Sequence, residues 1–477
     1  MNTIPLIVDL DGTLIHTDML HESMISAFRE KPLVNTLKMP HWLSRGKAFL
    51  KQRLAQSSSF NAASLPYNKG FLSWLKQQHA QGRKLILCTA SDYVIASAIA
   101  AYLNIFDEVM ASDGSTNLAH KHKAEALTRR FGLHGFDYAG NSRADLPVWS
   151  QARHAIFVNT PTKIIKKASA TCKTEKVFSF PSIETSSWQH TLRTHQWLKN
   201  ILLFIPLLAA HKMTDLHAWS ALFFAFISFS LCASAVYIAN DLLDLDNDRQ
   251  HPRKHKRPFA SGKVPIWLGF ILSPCLLLAS IAFGTIAGTT FIICLVAYFI
   301  LTCAYSLRLK RLVIVDCLTL AILYTLRIIA GAAAVEITLS FWLLAFSIFL
   351  FLSLAFVKRY AELWSQKLMH QEKLHGRGYH TTDAPLIQIF GISAAYVSVL
   401  VLALYINSDA VRFLYRTPDV IWGVVPLLLF WTNWMWLRAH RGEMHDDPLV
   451  FAVKDKASLL TGFLFVLVLV LGTVRWS

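Results

Sequence analysis

A chain of 477 residues is too long for one ordinary core, so two or more folding units are expected. Charged residues make up 16% and apolar residues 54%, against about 25% charged in soluble proteins, which excludes a wholly soluble chain. The net charge of +17 could suit nucleic acid, but beyond about Arg193 the basic residues retreat into short loops between apolar runs. That placement points to membrane orientation and phosphate substrates, with no nucleic acid. The seven cysteines include no CxxC pair. Cys232, Cys275, Cys294, Cys303 and Cys317 lie in apolar runs and read as small core residues rather than a disulfide framework. No signal peptide is expected, because Asp9 and Asp11 interrupt the place of its apolar core, so the first unit is expected in the cytosol.

Leu6-Ile7-Val8 predicts a short buried strand, followed by Asp9-Leu10-Asp11-Gly12-Thr13-Leu14. Two carboxylates two positions apart at a strand end can divide one task. Asp9 can attack a phosphoryl group and Asp11 can protonate the leaving oxygen. Gly12 permits the sharp turn between them. The segment resembles the haloacid dehalogenase-like phosphatase superfamily. That resemblance implies an α/β Rossmann-like domain, residues 1–160, with Asp9, Asp11 and two later residues holding Mg²⁺. It makes Thr89, ending Lys84–Ser91, a phosphate-binding residue, and Lys123 the charge-balancing lysine, with Lys121 a weaker candidate. Asn141 and Asp145 then fall in the last motif, Phe136–Asp145. Asn141 stands where an aspartate is usual; its amide oxygen can coordinate Mg²⁺ but supplies no charge. The stretch from His16 to about Gly82 predicts a small helical cap over the site. His21, His41 and His79 read as ordinary surface or cap histidines. Residues 161–187, rich in Lys, Ser and Thr, read as a linker with room for a final strand.

From residue 188 to 477 an all-α transmembrane bundle is expected. Apolar runs recur at Trp197–Ala210, Trp219–Ala239, Ile266–Ala287, Phe291–Leu307, Val313–Val335, Phe341–Val357, Leu386–Ile406, Val420–Leu437 and Leu459–Val474. This gives about nine spans. Lys and Arg concentrate in the loops at Arg249–Lys263, Arg308–Arg311, Lys358–Arg377 and Arg438–Lys456, with Arg412 and Arg416 the main exceptions. A cytoplasmic N-terminal domain and an outside C-terminus follow. Lys263, Arg438 and Arg441 read as topology signals.

The second run ends in Asn240, Asp241, Asp244, Asp246 and Asp248, followed by a basic loop with Arg249, Arg253, Lys254, Lys256 and Arg257. At about 100° per residue, Asn240, Asp241, Asp244 and Asp248 share roughly 100° of arc, and Asp246 points away. Carboxylates at a membrane helix mouth are costly and usually mark a site. Hard oxygen ligands suit Mg²⁺ bridging to a phosphorylated substrate. Other polar residues gather on the same predicted side: Arg193, Gln196, Lys199 and Asn200 open the first run, Tyr305 and Lys310 close the fourth, and Lys358, Arg359 and Glu362 end the sixth. Asp446, Asp447, Lys454 and Asp455 precede the last. Lys199, Arg257, Lys310, Arg327 and Lys358 are expected to meet phosphate. Asp316 and Arg327 share a helix face but stand about 16 Å apart, so each needs another partner or a wet cavity.

The NDxxDxxxD pattern in a many-span chain resembles the UbiA superfamily of intramembrane prenyltransferases. Members usually carry a second DxxxD motif; here Asp316 stands alone, with Leu320 at the second place. Arg193–Asn200, Tyr305–Lys310 and Lys358–Leu363 resemble the decaprenyl-phosphate phosphoribosyltransferase branch. That branch moves phosphoribose from phosphoribosyl diphosphate to a polyprenyl phosphate. The resemblance implies Mg²⁺ on Asn240, Asp241, Asp244 and Asp248, and phosphates held by Lys199, Lys256, Arg257 and Lys310. Asp244 or Asp316 would stabilise positive charge at the ribose carbon, and Arg193, Gln196, Asn200, Tyr305, Arg327, Lys358 and Arg359 would complete substrate binding. A fused phosphatase would then dephosphorylate the lipid-linked product. Two alternatives stand beside this: prenyl transfer to an aromatic acceptor, and a membrane scaffold with an inactive phosphatase head. The expected location is the bacterial inner membrane.

Overall fold

The computed structural model describes residues 4–30, 32–58, 60–113, 116–179, 185–251, 254–370, 372, 374, 376–409, 411, 415–444 and 447–473. Arg253, Arg412, Asp446 and Val474, named above, lie outside the described residues. The chain forms two compact units, Met1–Leu192 with Tyr237–Ser273, and Arg193–Val236 with Pro274–Ser477.

In the first unit, strands β1 (Leu6–Val8), β2 (Leu85–Asp92), β3 (Glu108–Ser112), β4 (Asp137–Gly140), β5 (His154–Val158) and β6 (Lys173–Phe178) make one sheet in the order β3-β2-β1-β4-β5-β6, every pair parallel. Alternate residues of β1 serve opposite faces. Leu6 and Val8 join one core, with Leu85, Leu87 and Ile99; Ile7 joins the other, with Ile86, Tyr138 and Trp149. Both faces are covered, which is why the strands read as apolar runs rather than alternating ones. The order reverses between β1 and β4, so Asp9 leaves the sheet at the crevice where open parallel sheets bind ligands. The sheet runs into the stretch read as a linker: residues Thr162–Ser169 are helical and β6 is its edge strand. The predicted cap is three helices, α1 (Met19–Glu30), α2 (Pro32–Ser44) and α3 (Lys47–Gln56), closed around Ala27, Trp42, Leu50 and Leu54.

The second unit is helical. Eight helices among the described residues are long and apolar enough to cross a membrane: Leu216–Leu243, Ile266–Ala287, Thr289–Leu307, Val315–Ala334, Phe341–Leu368, Thr381–Ile406, Pro418–His440 and Lys456–Thr473. The first run of the sequence reading is not among them. Thr194–Phe204 winds as a 3₁₀ helix and only Ile205–Ala209 is α-helical. Eleven residues at about 2.0 Å rise and five at about 1.5 Å still reach roughly 30 Å, the thickness of a bilayer core. Trp197 and Asn200 donate to Ser234 Oγ and Ser230 Oγ of the helix Leu216–Leu243, both at 2.9 Å. Gly331 lies against the Leu203 carbonyl, where a Cβ would sit 2.0 Å from the oxygen. Small residues that admit such close approach are the usual device of helix association in lipid.

Candidate functional site

The first site is at the ends of β1, β2 and β4. Asp9 takes a backbone bond from its own N–H to Ala139 O at 3.0 Å, and its Oδ1 accepts from Lys123 Nζ at 2.6 Å. Lys123 is buried and reaches the Tyr138 hydroxyl at 3.2 Å; Lys121 is exposed. Asp11 Oδ2 accepts from Ser91 Oγ at 2.7 Å and from Thr89 Oγ1 at 3.4 Å, while its Oδ1 accepts from the Met19 N–H at 2.8 Å. Gly12, at φ 73°, carries the turn, and the Asn141 amide fills the space a Cβ would need there, at 2.0 Å. Asp145 is committed to the fold: Oδ1 accepts from Tyr138 and Oδ2 from the Asn141 and Ser142 N–H groups. Burial pushes the Asp9 carboxyl up to about 6 even with Lys123 beside it. Burial, with the charges of Asp18 and Asp9, pushes Asp11 up to about 7. Asp9, Asp11 and Asp145 therefore face one buried lysine, a deficit of positive charge that a divalent cation would complete, with Asp9, Asp11 and the Asn141 amide oxygen as donors.

The second group closes the helix Leu216–Leu243. The N–H of Asp244 bonds Asn240 O at 2.9 Å, and that of Asp248 bonds Asp244 O at 2.8 Å. Helical pitch thus carries across Asp244 into Leu245–Gln250. Asp241 and Asp248 are buried and meet at one guanidinium, Arg257 Nη1, at 3.0 and 2.5 Å. Burial pushes the Asp248 carboxyl up against the pull of Arg257. Asn240 and Asp244 are half-buried, Asp246 instead pairs with Arg29 at 2.9 Å, and Lys256 is exposed. Oxygen donors on one face suit Mg²⁺.

In the second unit two further groups form. Lys199 and Lys358 donate to Asp447 Oδ2 at 2.7 and 3.2 Å, and the Tyr324 hydroxyl reaches Asp447 Oδ1 at 3.1 Å. Burial would raise the Asp447 carboxyl, but the two ammonium groups hold it well below the usual carboxylate range. Two lysines on one carboxylate leave a net positive charge, open to a phosphate. The other group is balanced. Asp316, fully buried, meets Arg359 at 2.6 Å, Arg377 at 3.3 Å and the Tyr379 hydroxyl at 2.5 Å, while Glu362 meets Arg359 and Arg377. Arg377 also donates to Tyr305. Arg327 directs its donors to neutral oxygens, Asn200 Oδ1 at 2.9 Å, Leu323 O at 2.5 Å and Tyr298 at 3.0 Å. Arg193, Gln196 and Lys310 are half-buried.

The site residues of the sequence reading thus divide by company. Asp316, Arg327 and Arg359 are engaged within the protein, whereas Lys199 and Lys358 converge. Ser91, Tyr138, Tyr324 and Asp447 are the additions. Asp447 had a legible signal: it precedes Pro448 and caps the helix Pro448–Lys454, accepting from the Leu449 N–H at 3.3 Å. A cleft of about 630 Å³ among Leu427, Trp431, Val453, Leu459 and Phe463 is apolar and holds none of these groups.

The UbiA prenyltransferase family model matches residues 201–459, and the haloacid dehalogenase-like hydrolase model matches residues 6–150. Protein y4nM of Sinorhizobium fredii is 37% identical over 464 residues, 97% of this chain and 89% of that protein. The decaprenyl-phosphate phosphoribosyltransferase of Mycobacterium tuberculosis is 37% identical over 176 residues, 36% of this chain and 58% of that protein. A UbiA homologue from Archaeoglobus fulgidus, solved with GPP and Mg²⁺, is 16% identical and covers 59% of this chain and 99% of its own, with a TM-score of 0.46.

Proposed function

Because the chain belongs to the UbiA prenyltransferase family and carries a haloacid dehalogenase-like hydrolase domain, we propose that it transfers 5-phosphoribose from phosphoribosyl diphosphate to a polyprenyl phosphate and then dephosphorylates the product. It is a multi-pass membrane enzyme with a transferase part and a phosphatase part. In this reading residues 1–160 carry the phosphatase motifs, 161–187 complete its sheet and lead on to the rest, and 188–477 are the transferase, with the phosphatase on the cytoplasmic side of the inner membrane.

The observation that carries the phosphoribosyl reading is the company of Asp316. Prenyl transfer from a diphosphate by this family usually employs a second aspartate-rich motif. Here its one aspartate is fully buried among Arg359, Arg377 and Tyr379, and Leu320 takes the other place. One acidic group, Asn240 to Asp248, is left for a diphosphate. The matched part of the mycobacterial phosphoribosyltransferase agrees in kind.

Mg²⁺ bound by Asn240, Asp241, Asp244 and Asp248 would neutralise the departing diphosphate. Arg257 would hold its phosphates, and Lys199 and Lys358 a substrate phosphate. The lipid phosphate oxygen forms a bond to ribose C1 as the bond from C1 to diphosphate breaks. Asp244 would stabilise positive charge at that carbon. The lipid phosphate is already an anion, so no strong base is required. In the phosphatase, Asp9 accepts the phosphoryl group and Asp11 gives its proton to the leaving sugar oxygen; Asp11 then takes a proton from the water that releases phosphate.

The test is incubation of the full-length protein with polyprenyl phosphate and labelled phosphoribosyl diphosphate. Labelled lipid, diphosphate and then free phosphate are expected. Prenyl transfer to a hydroxybenzoate with phosphoribosyl diphosphate unused would select the aromatic prenyltransferase instead. A labelled lipid that keeps its sugar phosphate would remove the second step.

A further inference from the structure

Helix α1 belongs to the phosphatase cap, yet its buried charge serves a loop more than two hundred positions later. Glu22 receives Arg249 in a forked pair, Nη2 to Oε1 at 2.5 Å and Nη1 to Oε2 at 3.1 Å, and both side chains are buried. Thr17 donates to the same carboxylate at 2.7 Å. Arg249 then donates through Nε to the Ala260 carbonyl at 3.2 Å. Arg249 therefore ties Glu22 to Ala260, and between Arg249 and Ala260 in sequence lies Arg257, the guanidinium that brings Asp241 and Asp248 together.

Two more contacts fix the same segment. Arg29 at the far end of α1 pairs with Asp246, which accounts for the one motif carboxylate turned away from the acidic face. At the near end Gly262 meets His16, where a Cβ would lie 2.5 Å from the His16 Cβ. The first N–H of α1, that of Met19, is meanwhile bonded to Asp11 Oδ1. A buried ion pair is poor evidence for stability, because desolvation offsets most of its attraction; fixing register is its best-attested use. Forked Arg–carboxylate geometry sets angle as well as distance.

We propose that α1 is a strut linking the two chemistries, with Glu22 a positioning residue for the metal–diphosphate group at Asp241 and Asp248, and with occupation of the phosphatase site felt at that group. The proposal rests on the metal–diphosphate reading of the acidic motif given above. By linkage, whatever the phosphatase ligand does to diphosphate affinity, diphosphate does equally to the phosphatase ligand.

The experiment measures radiolabelled inorganic diphosphate binding to the full-length protein in detergent at saturating Mn²⁺, with and without beryllium fluoride to occupy the phosphatase site. Glu22→Gln should weaken binding by about tenfold, the usual scale for losing a residue that orients metal ligands. Glu22→Asp, which keeps the charge, should recover most of it. Beryllium fluoride should shift the wild-type affinity by about fivefold, within the ordinary range of coupling between sites, and should not shift that of Glu22→Gln. Thr17→Val is the milder variant should Glu22→Gln fail to fold, with an expected loss of about threefold for one hydrogen bond. Wild-type affinity in Glu22→Gln, or in Thr17→Val where only that variant folds, would overturn the strut, as would a wild-type affinity indifferent to beryllium fluoride. Asp241→Asn separates the two ideas: diphosphate binding that survives it would sink the reading of the acidic motif itself.

Discussion

The phosphatase site and the Asp316 group are both buried clusters of ionised side chains, and they differ in whether their charges close. Asp316 and Glu362 face Arg359 and Arg377, two charges against two. Among the described residues, Asp9, Asp11 and Asp145 are met by the single buried cation Lys123. Burial makes such an imbalance costly, and cost without compensation is found where a ligand supplies the missing charge. The same rule sorts the rest of the molecule. The Lys199–Lys358 group sets two ammonium groups on one carboxylate, while Asp137 and Glu175, with Arg83 and Arg153 upon them, close two against two. Asp137, His154 and Glu175 stand near enough to share a cation, but the two arginines already supply that charge.

The hardest blow to this division is Asp9→Asn. It removes the nucleophile and should cut phosphate release by at least about a thousandfold, the scale on which lost nucleophiles are felt. Lipid labelling by the transferase should continue, so the phosphoribosylated lipid accumulates. Turnover of an aryl phosphate and a lipid mass spectrum read the two halves separately. Unchanged phosphatase turnover would mean that the open charge at Asp9 does no chemistry.

How much of this could be read beforehand follows the reach of each interaction. Asp9, Asp11 and Gly12 are neighbours in sequence, and so are Asn240, Asp241, Asp244 and Asp248, so local geometry placed both groups. The cap and the long apolar helices were legible from periodicity for the same reason. The partners that decide charge balance were not legible. Lys199 meets Asp447 across 248 positions and Glu22 meets Arg249 across 227. Arg327 and Asp316, each seen to need a partner, found them in neutral oxygens and in Arg359, choices that only packing makes. The first apolar run became a 3₁₀ helix because close contact at Gly331 and bonds to Ser230 and Ser234 outweigh local preference.

A smaller effect sharpens the contrast inside the membrane part. Asp447→Asn leaves Lys199 and Lys358 without their counter-charge, and breaking a buried pair in this way costs about 3 kcal/mol or more. Part of that cost should return when inorganic diphosphate or phosphate is added, because an anion can take the carboxylate's place. Thermal unfolding in detergent, with and without the anion, measures both. The corresponding variant of the closed group, Asp316→Asn, should lose stability that no added anion restores, since the charges left there are hemmed in by Glu362 and Tyr379.

The mildest test uses acid. Burial would raise the Asp137 carboxyl, but hydrogen bonds and charge from Arg153 and Arg83 hold it below the ordinary aspartate value of 3.8. A carboxyl depressed in the folded state binds its proton more readily when unfolded. Its contribution is therefore complete above about 3.8 and is lost as pH falls through the lower folded value. Between neutral pH and about 5 the melting temperature should not respond to this group, and below about 4 it should fall. Asp137→Asn should start from a lower melting temperature at neutral pH, because Arg83 and Arg153 lose their partner, and should show a shallower decline in acid. Arg153 is partly exposed, so screening trims the difference, and added salt should narrow it further. Equal acid slopes in the two proteins would show that Asp137 is not the closed charge it looks to be, and would blunt the contrast with Asp9 at its structural end.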